Sequence, residues 1–222
     1  MGKNYLGNTN LKGKGQKFNW TKKRLKEYMK CAEDPIYFAE EYIKIVHVDH
    51  GLIPIKMYEY QKEITNLITD NRRVTVVTSR QAGKTTVAAA VILHYVLFNE
   101  HKLIALLANK GDSAREILDR IKIAYEALPK WLQQGVVEWN KGSVEFENGS
   151  KIVAAATSSS AIRGKSVSFL YIDEAGFVEN WEEFSSAVLP TISSGKTTKT
   201  LYTSTPNGLN HFHKTCSGAK EG

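Results

Sequence analysis

Apolar residues recur along this chain in two alternating patterns. Short runs of β-branched and aliphatic residues predict strands at residues 73–78, 102–108, 166–175 and 198–206. Apolar positions at helical spacing predict helices at residues 34–45, 57–71, 85–98, 113–128 and 181–189. Three further short strands are expected within residues 136–156, with turns at Lys141-Gly142 and Asn148-Gly149. This alternation predicts an α/β fold: a mostly parallel sheet with helices on both faces, preceded by a small helical region.

Positive charge is concentrated at the start of the chain. Residues 1–30 carry nine Lys and Arg residues and one acid, Glu27, whereas the whole chain has a net charge of +7. One interpretation is a solvated, partly disordered arm over residues 1–33, followed by one folded domain over residues 34–222. The other is an arm that contacts nucleic acid through its phosphates, which is favoured by the aromatic residues among the bases: Tyr5, Phe18, Trp20 and Tyr28.

The lengths of the apolar runs and the number of cysteines argue against a membrane protein and against a disulfide-stabilised protein. No apolar run is long enough to span a membrane, so we expect no membrane partner. The two cysteines, Cys31 and Cys216, are too few for a disulfide framework, which predicts reduced thiols in a cytosolic protein. His211, His213 and Cys216 lie close in sequence, but we expect them to be structural and not a zinc site.

The stretch TSRQAGKTT, residues 78–86, follows a predicted strand and opens a predicted helix. It resembles the phosphate-binding pattern G-x-x-x-x-G-K-[ST], except that Thr78 replaces the first glycine. In such a loop Gly83 lets the backbone approach the phosphates and Lys84 supplies a positive charge to them. The Thr85 hydroxyl reaches Mg²⁺. The alternative is a chance Gly-Lys-Thr at the start of a helix.

Acidic and polar residues follow two other predicted strands. The stretch SFLYIDEA ends in Asp173, a candidate Mg²⁺ ligand, and Glu174, a candidate general base for the attacking water. The stretch TSTPNG, residues 203–208, offers hydroxyls that could sense the γ-phosphate, although a plain polar turn is the alternative. Gln61 lies before the first strand and has the two hydrogen-bonding groups needed to read an adenine edge, unless it is a surface residue of its helix.

Four stretches taken together, TSRQAGKTT, LYIDEAGF, SSAIRGKS and TSTPNGLNHF, resemble the large terminase subunit of tailed bacteriophages, most closely the T-even-like group. The resemblance runs from about Asp34 to the C-terminus, and much of that family also lacks the first glycine of the loop. It implies a P-loop (RecA/ASCE-like) ATPase domain over residues 34–222. It also implies an ATP- and Mg²⁺-dependent motor that packages double-stranded DNA into a procapsid in the host cytoplasm. The implied assembly is a homo-oligomeric ring with a portal protein and a small terminase subunit as partners.

The resemblance also implies roles for individual residues. Arg80 matches a loop arginine that contacts the γ-phosphate, and Arg163 matches a candidate arginine finger that acts in cis or from a neighbouring subunit. Thr203, Ser204 and Thr205 match the motif that couples hydrolysis to movement. The expected nucleotide contacts are Tyr60, Gln61, Ser79, Arg80, Gln81, Ala82, Gly83, Lys84, Thr85 and Thr86, with Glu174 as the catalytic base.

Two other functions share part of this pattern. A superfamily-two helicase-like DNA translocase would have the glutamine, the loop and the acidic strand, but it also needs a second RecA-like domain. A nucleic-acid-binding module with an inactive nucleotide site would explain the basic arm, although the presence of Lys84, Thr85, Asp173 and Glu174 argues against it. The chain ends sixteen residues after Pro206, so we expect no nuclease activity from it.

Overall fold

A computed structural model describes residues 4–157, 162, 164–193 and 195–221. Its helices are α1 (Lys22–Glu33), α2 (Pro35–Tyr42), α3 (Glu59–Asp70), α4 (Lys84–Phe98), α5 (Gly111–Ala127), α6 (Trp181–Ser193) and α7 (His211–Glu221). Its strands are β1 (Lys44–His47), β2 (Gly51–Pro54), β3 (Arg73–Val77), β4 (Leu103–Ala108), β5 (Val136–Trp139), β6 (Ser143–Phe146), β7 (Lys151–Ala156), β8 (Phe169–Ile172) and β9 (Lys199–Ser204).

The main sheet has the strand order β3-β9-β8-β4-β7-β6-β5. Its first five strands run parallel, and β6 and β5 extend it as an antiparallel meander. The predicted α/β fold with a mostly parallel sheet is therefore confirmed. Strands β3 and β8, which lead into the loop and into the acids, are separated by β9. All three end at the same edge of the sheet, where ligands bind in open α/β folds.

Hydrophobic cores lie on both faces of the sheet. Alternate side chains of β4 enter different cores, with Ile104 and Leu106 on one side and Ala105 and Leu107 on the other. The first core includes residues of α1 to α5, and the second includes residues of α6 and α7. Helix α4 is apolar almost all round and is buried along most of its length, as expected for a helix enclosed by other helices and the sheet.

The N-terminal segment, for which the charge pattern favoured an arm, makes backbone and apolar contacts with the folded domain. Leu11 is buried, and the Val136 N–H donates to the Lys12 carbonyl at 2.7 Å, so the segment adds to the open edge of β5. The buried Gln133 side chain bonds the Lys12 N–H and the Asn10 carbonyl. The count of charged residues in this segment did not indicate these contacts, because they are made by an apolar side chain and by backbone groups.

Helix α1 is likewise part of the folded body. Its first turn is capped by Thr21, whose hydroxyl accepts a hydrogen bond from the Arg24 N–H. Cys31 is buried in the same cluster as Phe38 of α2. The boundary expected between residues 33 and 34 therefore does not coincide with a break in packing.

Three local features depart from the predicted elements. Strand β8 is shorter than expected because the backbone of Glu174 takes a left-handed conformation, with φ of 49°, and leads into a single 3-10 turn, Ala175–Phe177. Helix α6 continues through Pro190 to Ser193, because the buried Val188 and Ile192 on either side pack in the second core. Strands β1 and β2 form an antiparallel hairpin that the pattern did not predict.

Candidate active site

The loop between β3 and α4 has the backbone geometry that phosphate binding requires. Gly83 precedes α4 with a φ of +76°, a left-handed conformation that favours glycine. The loop is joined to the neighbouring strand by a hydrogen bond from the Thr78 N–H to the Ser204 carbonyl, at 3.3 Å. The first turn of α4 therefore presents its free N–H groups at the carboxyl edge of the sheet, a geometry that attracts anions.

Lys84 connects this loop with the acidic strand. Its side chain is buried, and its ammonium donates to the Ser79 carbonyl at 3.1 Å. The same nitrogen lies 3.8 Å from Oε1 of Glu174. A buried ammonium is costly unless it is closely paired. Glu174 lies at the long limit of an ion pair, so a phosphate bound at the loop would be a closer partner for Lys84.

Asp173 receives hydroxyl groups from three elements. Its Oδ2 accepts from Thr85 of α4 at 3.3 Å, and its Oδ1 accepts from Thr203 of β9 at 2.8 Å. Tyr171 of β8 also donates to Oδ1, at 3.0 Å. The predicted metal-side residues Thr85 and Asp173 are thus in direct contact.

Glu174 is held by the end of β9. Its Oε2 lies 3.3 Å from the Ser204 hydroxyl and 3.2 Å from both the N–H and the hydroxyl of Thr205. The two Thr205 donors hold this carboxylate oxygen, while the single Ser204 hydroxyl proton is shared between it and the Thr205 carbonyl at 2.9 Å. The other oxygen of Glu174 is directed towards Lys84. The residues expected to couple hydrolysis to movement therefore contact both acids: Thr203 contacts Asp173, and Ser204 and Thr205 contact Glu174.

Gln61 and Tyr60 lie against the loop. The Gln61 amide nitrogen and the Tyr60 hydroxyl both donate to the Ala82 carbonyl, at 3.2 and 3.0 Å. The Gln61 side-chain oxygen accepts from the Tyr58 N–H, so Gln61 also closes the first turn of α3. The rings of Tyr58 and Tyr60 stack in parallel and are exposed beside the loop. An adenine-reading role for Gln61 stays a prediction.

The other residues predicted to contact nucleotide do not all lie beside the acids. Ser79, Gln81 and Ala82 form the loop itself, and Arg80 in the same loop is exposed, with no hydrogen bond or ion pair to any part of the chain that the structure describes. Thr86 lines a cavity under strand β1 together with Ala89 and Ala90, on a different side of α4 from the acids. Arg163 lies outside the described residues.

Sequence reasoning missed a set of residues that hold the turn after Glu174. The Gly176 carbonyl accepts from the side-chain amides of Asn207 and Asn210, at 2.9 and 2.7 Å, and the Gly176 N–H donates to Ser204. His211 bonds the Ala175 carbonyl and stacks on Trp181, which supports its predicted structural role. The asparagines of PNGLN were the available signal, but a sequence alone does not show which carbonyl they reach.

Tyr171 was also missed. Its side chain is fully buried, and burial together with the nearby charge of Asp173 raises the pKa of its hydroxyl well above the ordinary value. The hydroxyl therefore keeps its proton and acts as a donor near neutral pH. The available signal was its place two residues before Asp173, because alternate residues of a strand share one face.

The donor set at the end of β8 fits Mg²⁺. The ion prefers hard oxygen ligands and is commonly held by one or two carboxylates together with substrate phosphates. Thr85 and Asp173 supply a hydroxyl and a carboxylate beside the loop. The described residues, those of this site included, contain no group of three or more His, Cys, Asp and Glu side chains arranged to hold a metal ion. No helix within the described residues is long and apolar enough to cross a membrane.

Comparison with known proteins finds one matching family and similar folds. The family model described as "Terminase large subunit, T4likevirus-type, N-terminal" matches residues 75–222. The HK97 bacteriophage large terminase superposes with a TM-score of 0.65 and 17% identity, over 78% of this chain and 37% of that protein. The ATPase domain of the Thermus phage P74-26 large terminase gives a TM-score of 0.60 and 23% identity, over 72% of this chain and 69% of that domain.

A third similar structure was solved with a nucleotide analogue. It is the large terminase of a thermophilic bacteriophage in complex with ATP-γ-S, with a TM-score of 0.58 and 13% identity, over 75% of this chain and 43% of that protein. At these identities the likeness establishes the fold. The chain spans 37% of the length of the HK97 protein and so corresponds to part of it.

Proposed function

The chain belongs to the T4-like-virus type of large terminase subunit, in its N-terminal part, and on that premise we propose that it is a Mg²⁺-dependent ATPase. We propose further that ATP hydrolysis here drives the movement of double-stranded DNA into a procapsid. The family match favours this function over a helicase-like translocase. The observation that carries the catalytic part is the meeting of Lys84, Thr85, Asp173 and Glu174 at the ends of α4 and β8.

The proposed roles follow from the contacts. Lys84 and the first N–H groups of α4 bind the phosphates, since both present positive charge at the same point. Thr85 and Asp173 hold Mg²⁺, which neutralises charge on the phosphate oxygens when it is bound. Glu174 accepts a proton from the attacking water, with its carboxylate oriented by Ser204 and Thr205.

Other roles rest on position and family resemblance. Arg80 is exposed in the loop and is proposed to contact the γ-phosphate of its own subunit, while Arg163 is proposed to act as the finger towards a neighbouring subunit in a ring. Tyr60 and Gln61 flank the loop and are proposed to contact adenine. Thr203, Ser204 and Thr205 are proposed to pass the state of the site to the rest of the chain. Double-stranded DNA, a portal protein and a small terminase subunit are the proposed partners.

Calorimetric binding of Mg·ATP by the Lys84→Ala variant tests this function. We expect the wild-type protein to bind Mg·ATP and the variant to lose that binding, because the variant lacks the buried charge that the phosphates contact. Lys122→Ala is a matched control, since Lys122 is also largely buried, donates to the backbone carbonyl of Asn140 and lies 3.6 Å from an acid, Asp119. Equal binding of Mg·ATP by wild type and Lys84→Ala would contradict the proposal.

A further inference from the structure

Tyr171 is placed where packing alone does not require a tyrosine. It lies in β8 between Leu170 and Ile172, in a strand whose four residues are all buried. A phenylalanine would fill nearly the same volume, and burying a hydroxyl is costly unless it is hydrogen-bonded. The presence of a hydroxyl here therefore points to the groups that it contacts.

Those groups all belong to the proposed metal side of the site. The Tyr171 hydroxyl lies 3.0 Å from Oδ1 of Asp173 and 3.1 Å from the hydroxyl of Thr203. Thr203 itself donates to the same Oδ1 at 2.8 Å. One oxygen of Asp173 is thus occupied by two hydroxyls, and the other, Oδ2, is left facing Thr85 at the start of α4.

The two hydroxyls have too few protons to donate in every contact of this cluster. Tyr171 and Thr203 have one hydroxyl proton each, whereas three contacts join the two hydroxyls and Oδ1. In the observed orientation of Asp173, both hydroxyls donate to its Oδ1. If Oδ1 turns away from them, Tyr171 and Thr203 can bond to each other, but the hydroxyl that accepts in this pair loses the acceptor for its own proton, which is costly in a buried site. The cluster therefore favours the one orientation of the carboxylate in which Oδ1 accepts from both hydroxyls.

We propose that Tyr171 is a positioning residue for the divalent cation: its hydroxyl holds the Asp173 carboxylate so that Oδ2 and the Thr85 hydroxyl face the cation together. The inference rests on the proposed function, because it concerns the cation that accompanies the nucleotide. It adds a residue that touches neither nucleotide nor cation and acts through Asp173. Its effect should therefore appear in the metal dependence of binding and not in nucleotide binding as such.

The test compares Tyr171→Phe with Tyr125→Phe. Tyr125 is a matched control, because it is also fully buried and its hydroxyl donates to a backbone carbonyl, that of Gln134, away from the acids. Binding of a non-hydrolysable ATP analogue is measured by calorimetry while Mg²⁺ is titrated, and again in EDTA. Thermal unfolding of each variant is recorded in parallel.

We expect Tyr171→Phe to raise the Mg²⁺ concentration for half-maximal binding about tenfold, the size expected from loss of one hydrogen bond to a charged group. Binding in EDTA should match wild type, and Tyr125→Phe should leave both measurements unchanged. Thr203→Val, which removes the other donor to Oδ1, should shift the Mg²⁺ dependence in the same direction.

Two results would overturn the inference while leaving the proposed function intact. One is a wild-type Mg²⁺ dependence in Tyr171→Phe. The other is equal weakening of binding in Mg²⁺ and in EDTA, which would show a general loss of structure at the site. A wild-type protein that binds no Mg·ATP would instead overturn the proposed function itself, so the two failures are distinguishable.

Discussion

The side chain of Gln61 lies directly against the backbone of Gly83. A Cβ atom added to Gly83 would lie 2.5 Å from the Gln61 amide nitrogen, which is closer than real Cβ contacts. Helix α3, which carries Gln61, and the loop are therefore packed at the limit of approach. Either Gln61 must leave its hydrogen bond to Ala82, or the loop must move, when any side chain is placed at position 83.

Gly83→Ala should weaken nucleotide binding about tenfold or more, because a positive φ is strained for alanine and Gln61 is displaced. Gly51→Ala is the control, since Gly51 has a φ of +65° and open space around it. An alanine there is strained in its backbone but displaces no neighbouring side chain. Calorimetry with Mg·ATP and thermal unfolding of both variants make the comparison. Similar nucleotide affinities in the two variants would show that the contact with Gln61 is unimportant.

Glu174→Gln should reduce ATP turnover about 10²-fold while ATP binding is kept. Glutamine retains an oxygen that can accept from Ser204 and Thr205, but it lacks a basic carboxylate. Steady-state phosphate release and calorimetry measure the two effects, with Glu183→Gln on the exposed start of α6 as the control. Turnover close to wild type in Glu174→Gln would move the base to another residue.

Asn210→Asp should lower turnover and leave ATP affinity nearly unchanged. The Asn210 side-chain oxygen accepts from the N–H groups of Phe212 and His213 at the start of α7, and aspartate can do the same. The amide group that donates to the Gly176 carbonyl becomes a carboxylate oxygen, which costs about 1–3 kcal/mol and loosens the turn that carries Glu174.

Asn71→Asp is the matched control for Asn210→Asp. Asn71 also donates its side-chain amide to a backbone carbonyl, that of Leu67, but at the opposite end of the sheet. Turnover and ATP affinity are measured for both variants. A loss of turnover in Asn71→Asp as large as that in Asn210→Asp would show a general effect of added charge.

Acid should release the N-terminal segment from the sheet edge. Burial by itself raises the pKa of Glu147, but hydrogen bonds from the Gly15 and Gly135 N–H groups and the charge of Lys12 outweigh it, so the net pKa is lowered. A carboxyl group with a lowered pKa in the folded state stabilises the fold above its unfolded pKa. That stabilisation is lost as the pH falls through the folded pKa.

Glu147→Gln should remove this pH dependence and speed hydrogen exchange in residues 4–16, at a cost of about 1–3 kcal/mol. Hydrogen exchange followed by mass spectrometry across a descending pH series checks it. Glu145→Gln is the control, because Glu145 contacts the surface residue Lys151, which also has Glu138 as a partner. An N-terminal segment that exchanges at the wild-type rate in Glu147→Gln would contradict this role of the carboxylate.

Much of the fold could be predicted because the core elements bury continuous apolar runs. Strand β4 and helix α4 lie within a residue or two of their predicted bounds, since apolar residues fill β4 and nearly all of α4 after its polar first turn. The hairpin of β1 and β2 could not be predicted in this way, because Val46, Val48 and Leu52 are exposed and do not alternate with a buried face.

Residues of the candidate site could be predicted only where several of them lie together in one short stretch of sequence. The loop with Lys84 and the pair Asp173 and Glu174 are each continuous in sequence. Tyr171 and Asn210 were missed because their roles depend on contacts between separate strands and turns, which periodicity does not reveal. The contacts of the N-terminal segment were not predicted for the same reason, since Lys12 contacts Gln133 and Glu147, which lie 121 and 135 residues away in sequence.

Strand β9 separates the two strands that supply the proposed phosphate-binding and acidic groups. Lys84 follows β3 and Glu174 follows β8, so the distance between the two residues depends on the position of β9 between these strands. From Ser204 the chain runs through the asparagines that hold the Glu174 turn and directly into α7. A force on α7 would therefore act on a backbone segment that contacts both the loop, through the Ser204 carbonyl and the Thr78 N–H, and the Glu174 turn, through Asn207 and Asn210.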